Sequence, residues 1–532
     1  MRLTLPRLIT AITFLGIFAM ATRISVDTDT WWHLRAGQWI VEHRAVPTVD
    51  PFSHTRAGAE WQYPGWLVEV PLYWLFTNFG FAGLNLFTAV CVTLTFLFVY
   101  LCCEGRPLLK AFVLVLAAAA SAIYWSARPQ IVSFLLAGIF AYLLHLQRWR
   151  GVNRLWLLVP LMALWANSHG GFAIGFIFIA FTLGGQVLSF VGKALSKDEG
   201  NRAEGPALSD PERQSKGEGN VDARGLAWLV GVGLACALAV VLNPAGPVML
   251  LYPFKTLSIG VLRDFIQEWQ TPNFHRIEAQ PFLWLLLAVL AAVGFSRRRV
   301  NLTDLLLVTG VAYLGFLAWR NVALLAIVAP PVITRHLVAG WADIAKHPFG
   351  VRERLPPDGD LRPARLASAV ARSVPEGPAL SEAEGNLALN WALLAVIALA
   401  ALLKALLFLQ PSVNEAETAR SAPVGAAEYV RRERPPGKLF NSYNFGAYLT
   451  WALYPDYPVY VDGRTDLYDD AFLREYLTVS FARPGYQAVL DRYGVNLVIV
   501  EANSLLGDAL SRDGWLAVYS DSTAAVYQRV GP

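Results

Sequence analysis

The segment Asp27-Thr28-Asp29-Thr30-Trp31-Trp32-His33 concentrates chemistry directly after an apolar run. Carboxylates this close to a bilayer are costly unless solvated, paired or used. One such acid could take a proton from a hydroxyl nucleophile. The pair could also hold a divalent cation such as Mg or Mn through hard oxygen ligands. Helix capping is the competing reading, with Asp27 or Asp29 at the start of a helix that begins at Trp31, and it accounts for one Asp only.

Other polar groups interrupt the apolar sequence. Arg320, in Trp319-Arg320-Asn321, sits at the junction of two apolar runs, where a guanidinium needs a partner such as a lipid phosphate. Arg128, in the Ser-Ala-Arg-Pro turn, is similar but nearer water, and snorkelling to headgroups competes for both. His169, in Asn167-Ser168-His169-Gly170-Gly171, could bond an acceptor or a phosphate oxygen; equally, it could mark a tight turn with glycines at positive φ. The stretch Arg263-Asp264-Phe265-Ile266-Gln267-Glu268-Trp269 is a second acidic cluster or the solvated face of a surface helix. Asp462-Gly463-Arg464-Thr465-Asp466 follows an expected strand; its acids could bind an acceptor or a metal, or form a buried Asp–Arg pair holding the tail to the membrane part, which is the favoured reading.

What must position these groups is a membrane-embedded frame. Of 532 residues, 55% are hydrophobic and only 16% charged, against roughly 25% charged in soluble domains. The charges crowd into a few segments. Apolar runs near 8–24, 81–103, 108–125, 130–146, 154–167, 171–192, 225–242, 280–296, 302–319, 321–337 and 388–409 give about eleven spans. The first lacks a small-residue cleavage site and reads as an uncleaved span. With the N-terminus in the cytoplasm, every basic cluster between spans falls on the cytoplasmic side: Arg106 and Lys110; Arg148, Arg150 and Arg154; Arg297, Arg298 and Arg299; and Arg335. The acidic loops and the C-terminal region then face outward. The net charge of +4 reflects that loop bias, and no basic stripe points to nucleic acid. Cys91, Cys102, Cys103 and Cys236 lie in or beside apolar runs as core filling. No Walker A, GxGxxG, GxSxG or HExxH pattern supports nucleotide, Rossmann or zinc-hydrolase chemistry.

The expected organisation is therefore a transmembrane domain over 1–410 and a small α/β domain over 411–532. Within the first, residues 25–80 form a long external loop with two Trp-rich amphipathic helices along the outer surface. Two insertions, 193–224 and 338–387, share the fragment EGPALS (Glu204–Ser209 and Glu376–Ser381) and are expected to be disordered. In the tail, Lys438–Phe440, Val459–Val461, Leu497–Glu501 and Ala524–Arg529 read as strands and Ala427–Arg432 as helix.

A long first external loop opened by an acidic motif and followed by surface helices resembles the GT-C superfamily of membrane glycosyltransferases. The carriers are Asp27, Asp29, Trp31, Trp32, His33, Leu34, Gly37, Asp50, Pro51, Phe52, Ser53, Thr55, Gly58, Trp61, Trp66, Leu67 and Glu69, with Asn441–Trp451 and Val459–Tyr468 in the tail. The pattern is similar to a bacterial group of such proteins. Where better-known members carry an Asp-Glu pair, this chain has Asp-Thr-Asp. The resemblance implies an all-α polytopic fold in a bacterial cytoplasmic membrane. It implies a polyprenyl-phosphate-linked sugar as donor and a glycan, lipid or protein as acceptor on the external face. Asp29 or Asp27 would be base or metal ligand, Glu268 the second acid with Asp264 behind it, and His33, His169, Arg128 and Arg320 substrate-binding groups. A flippase for lipid-linked saccharide and a non-catalytic scaffold are the alternatives.

Overall fold

A backbone surrounded by lipid has to satisfy its own hydrogen bonds, so the apolar runs form helices. The computed structural model describes residues 2–24, 27–200, 223–257, 259–261, 265–346 and 387–530. All eleven apolar runs are helical, and among the described residues eight helices are long and apolar enough to cross a membrane. The other three, Leu5–Ala21, Leu155–Ala166 and Leu302–Leu317, are shorter than the ~20 residues a span needs. The expected count of about eleven is therefore not reached on length. The chain is a multi-pass membrane protein of mostly helical structure.

The first helix, α1 (Leu5–Ala21), is followed by α2 (Thr30–His43), which carries most of the Trp-rich motif. Next comes α3 (Trp66–Cys102), where the expected second surface helix and the next span run on as one element. It breaks at Gly80 (φ 57°, ψ −148°), a conformation closed to residues with a Cβ, so the first half, the expected surface helix, leaves the membrane span at an angle. Two further helices, α4 (Pro107–Ser121) and α5 (Gln130–Arg150), hold Arg128 in the turn between them.

The bundle has two polar ends. At one, Arg148 Nη2 lies 2.7 Å from Asp304 Oδ1, Arg335 pairs with the same Asp304, and Arg335 Nε is 3.3 Å from Glu104. The Arg335 guanidinium covers the Trp149 ring at 3.8 Å. One aspartate shared by two buried arginines thus ties α5 to the Leu302–Leu317 and Val322–Lys346 helices. The other end collects the loops after α1 and α4, residues 265–270 and the Trp319–Asn321 turn.

The two insertions expected to be disordered lie largely outside the described residues. Their first residues are helical, because the Ala173–Gly200 and Val322–Lys346 helices run past the apolar sequence. Lys, Ala, Leu and Glu there are good helix formers, and a helix does not stop where hydropathy does.

In the tail, β1 (Lys438–Asn441), β2 (Val495–Glu501), β3 (Leu516–Ser520) and β4 (Ala524–Gln528) form one sheet in the order β1-β2-β4-β3. The β1–β2 pair is parallel and the others antiparallel. Strand β3 was not expected; it is an edge strand, mostly exposed, without the alternation that marks a half-buried one. Conversely, Val459–Val461 is not a strand of this sheet. Its backbone is used by the first loop: His54 N donates to Val459 O (3.0 Å), and Val459 N donates to Phe52 O (3.1 Å).

That exchange joins loop and tail. Arg464 is fully buried and bridges Asp462 (Nη2–Oδ2 2.8 Å) and Asp50 (Nη1–Oδ1 2.5 Å), both also fully buried. The rings of Phe52 and Trp61 flank its guanidinium at 5.2 and 4.9 Å. The Asp–Arg reading of this motif holds, with Asp50 as an additional acid. Trp31, expected at the membrane–water interface, is instead buried against Phe76, Phe81 and Tyr448. The tail helix Tyr443–Leu453 supplies the covering that the first loop alone lacks.

Candidate active site

Arg128 is the centre of the acidic end. Its Nε lies 2.9 Å from Asp27 Oδ2, an ion contact angled too poorly for a hydrogen bond. Its Nη1 donates to Asp29 Oδ2 (2.6 Å), and its Nη2 donates to Glu268 Oε1 (2.7 Å) and Gln130 Oε1 (3.0 Å). Each nitrogen of one guanidinium therefore faces a different carboxylate. Pro129 and Gln130 start α5 immediately after Arg128, and Gln130 Nε2 ties back to Ser126 Oγ (2.8 Å), which fixes the turn.

The two aspartates do not cap α2 with their side chains. Asp29 occupies the N-cap position without a side-chain bond to the helix, while Asp27 Oδ1 accepts from Asp29 N (3.0 Å). Both carboxyls are thereby turned toward Arg128, and the capping alternative gives way to ion pairing. Glu268 reaches the same point from the short helical turn Gln267–Trp269. Asp264 falls outside the described residues.

Three acids around one cation cannot share its charge equally. Beside Arg128, Glu268 is held down to about 2. Asp29 is pushed up to about 7, mainly by burial, with Arg128 pulling it back and the charges of Asp27 and Glu268 adding to the rise. Asp27 is raised too, again chiefly by burial. The cluster thus places one carboxylate that stays ionised beside another poised near neutrality, the arrangement acid–base chemistry uses.

A cavity of about 430 Å³ opens beside the cluster, lined by Asp27, Arg128, Glu268, Arg320, Arg23 and Tyr124 among others. Arg320 stacks over the Trp269 ring at 4.7 Å and makes no ion pair among the described residues. Arg23 donates to the carbonyl of Trp125 across the cavity. Asp29 stands behind Asp27 through Arg128, with a quarter of its side chain exposed. Asp27, Asp29, Glu268, Arg128 and Arg320 are thus brought together from four distant parts of the chain.

The two histidines are placed differently. His169 Nδ1 accepts from Gly171 N (3.0 Å) and meets Ser133 Oγ (2.8 Å), so the ring shapes its turn. Burial, with Arg320 and Arg128 nearby, pushes it down to about 3, and it stays neutral. His33 is buried with Nδ1 2.5 Å from Glu69 Oε1 and 3.3 Å from Tyr63 Oη. Burial, and then Arg128 and His169, hold it well below its ordinary value. A neutral ring with its proton assigned to Nδ1 fits that contact. Its role is to brace α2 on α3.

Sequence reasoning missed the tail's share of the site. A Cβ built on Gly463 would overlap the Asp29 carboxylate, so the Asp462-Gly463-Arg464 turn forms the wall against which Asp29 rests. Only the glycine between two charged residues hinted at this. Gly463→Ala is expected to displace Asp29 from Arg128 and to cut any Asp29-dependent activity at least tenfold. The protein should stay folded, with near-wild-type thermal unfolding; unchanged activity would show that Asp29 tolerates the shift.

The residues do not fit a divalent cation as arranged. Among the described residues, no group of three or more His, Cys, Asp or Glu side chains is placed to hold a metal. One oxygen each of Asp27, Asp29 and Glu268, the one turned toward the common centre, is taken by Arg128.

No protein-family model and no curated protein matches the chain. Among solved structures, it is similar to the archaeal oligosaccharyltransferase AglB from Archaeoglobus fulgidus, in complex with an inhibitory peptide and a dolichol-phosphate. The identity is 14% and the TM-score 0.52, over 92% of this chain and 69% of that one. A second structure of the Archaeoglobus fulgidus oligosaccharyltransferase, tethered to an acceptor peptide, aligns at 14% identity and TM-score 0.48, over 98% of this chain and 74% of that one. The fold is therefore similar to that of this membrane oligosaccharyltransferase.

Proposed function

We propose that this chain is a membrane glycosyltransferase that moves a sugar from a polyprenyl-phosphate-linked donor to an acceptor on the outer face of a bacterial cytoplasmic membrane. The observation that carries the reading is the convergence of Asp27, Asp29 and Glu268 on Arg128 beside a cavity that also holds Arg320 and Arg23. The AglB structure bound to dolichol-phosphate supports the donor class. A flippase or scaffold gives no reason for Asp27, Glu268, Arg128, Arg320 and Arg23 to line one cavity with Asp29 beside it.

In the proposed step, Asp29 accepts the proton of an acceptor hydroxyl, and the oxygen bonds to the anomeric carbon. The bond from that carbon to the phosphate oxygen breaks, and its electron pair leaves with the polyprenyl phosphate. A single displacement inverts the anomeric centre. Arg320 and Arg23 meet the phosphate charge, and Arg128, held by Glu268, fixes the orientation of Asp29.

Full-length protein reconstituted in lipid vesicles and given radiolabelled polyprenyl-phosphate sugars tests this. Wild type is expected to transfer label from at least one donor. Arg320→Ala is expected to raise the donor KM about 10–100-fold, the worth of a charge-assisted contact to phosphate, with a smaller change in kcat. No transfer from any donor, with equal donor binding by Arg320→Ala, would sink the proposal.

A further inference from the structure

We infer that Arg128 is the resident cation of the acid cluster, occupying the position a divalent ion would otherwise take and making the site metal-independent. The inference deepens the glycosyltransferase reading and rests on it for its consequence, but its physical content is a statement about cation binding.

The argument starts from coordination. A divalent ion in such a site is held by several carboxylate oxygens at short range, with water completing the shell. Here Asp27 Oδ2, Asp29 Oδ2 and Glu268 Oε1 point at one centre, as such ligands do, but the centre is a guanidinium. The contacts of 2.9, 2.6 and 2.7 Å leave no room for an ion between the acids and Arg128. Arg128 cannot easily swing aside. Its side chain is only 10% exposed, Gln130 takes a fourth contact, and Pro129 stiffens the backbone beside it. An arginine also keeps its charge at any physiological pH, so the cluster never presents three bare carboxylates.

The consequence is a division of labour. A metal would neutralise the acids and polarise the donor phosphate at once. A guanidinium locked among three acids does the first task only. The second passes to Arg320 and Arg23, which lie on the same cavity. This accounts for three arginines at one acidic site.

The test is Mn2+ binding to full-length protein in nanodiscs, read by electron paramagnetic resonance and independent of any sugar substrate. Wild type is expected to show no stoichiometric Mn2+. Arg128→Gln is expected to uncover one bound Mn2+ per chain, and Arg128→Gln/Asp29→Asn to lose it at least tenfold in affinity. One tightly bound Mn2+ in wild type, weakened by Asp29→Asn, overturns the inference. So does absence of binding in both wild type and Arg128→Gln, since Arg128 is then not what excludes the ion. If transfer activity is found, its insensitivity to EDTA supports the same conclusion. If no transfer is found, the Mn2+ result still stands, so the two readings fail separately.

Discussion

Asp29→Asn protein is expected to transfer sugar about 10²–10⁴-fold more slowly than wild type, the range lost when a general base is removed. The substitution keeps the size and one acceptor oxygen toward Arg128, so the fold and the guanidinium stay in place. The loss should fall on kcat more than on KM, because the proton moves only in the transition state. The pH profile supplies an independent readout. A base works deprotonated, so with Asp29 near 7 the wild-type kcat/KM should rise with pH through about 7 and level off above it. In Asp29→Asn that inflection should vanish. Asp27→Asn should slow transfer less and leave the inflection, since Asp27 meets Arg128 only through an ion contact of poor angle. Full activity in the double Asp27→Asn/Asp29→Asn protein would remove both acids from the mechanism.

The largest effect on stability is expected at Arg464. Replacing it by Met leaves Asp50 and Asp462 buried and unpaired, at a cost of about 3–5 kcal/mol. Asp50→Asn should cost far less, because Arg464 keeps Asp462, and an asparagine with its oxygen in the Oδ1 position still accepts from Phe52 N and Arg464 Nη1 and gives up only the bonds from Ser53. Limited proteolysis and tryptophan fluorescence would read the difference, since Trp61 lies against the guanidinium. Arg464→Met should expose cleavage sites in both the first loop and the tail. Cleavage confined to the tail, or equal stability of the two variants, would show that the triad does not join them.

The frame was legible because the bilayer imposes one rule on long apolar runs, and each run proved helical. Asp27, Asp29 and Arg320 were legible because charge beside a span demands a reason, while Glu268 came to attention through the resemblance, which implies a second acid in a later external loop. Arg128 was placed with the phosphate binders instead of at the centre, since nothing in Ser-Ala-Arg-Pro says which of several acids it will meet. The same limit hid the tail's contribution. Gly463 matters through a carboxylate more than 400 positions earlier in the chain, and no local pattern encodes such a contact. His33 sits inside the strongest motif, and the motif's own Glu69 holds it; proximity to acids in sequence pointed to substrate, while packing assigned it to α2 and α3.

The Asp50–Arg464 bridge has a consequence for biogenesis. Its partners are 414 residues apart. At a synthesis rate of about 5–20 residues per second, the aspartate waits roughly 20–80 s for its arginine to be made. Throughout that interval the first loop lacks the residues that bury its tryptophans. A newly inserted chain therefore offers chaperones and proteases an unfinished surface until Arg464 has been made and has docked on Asp50.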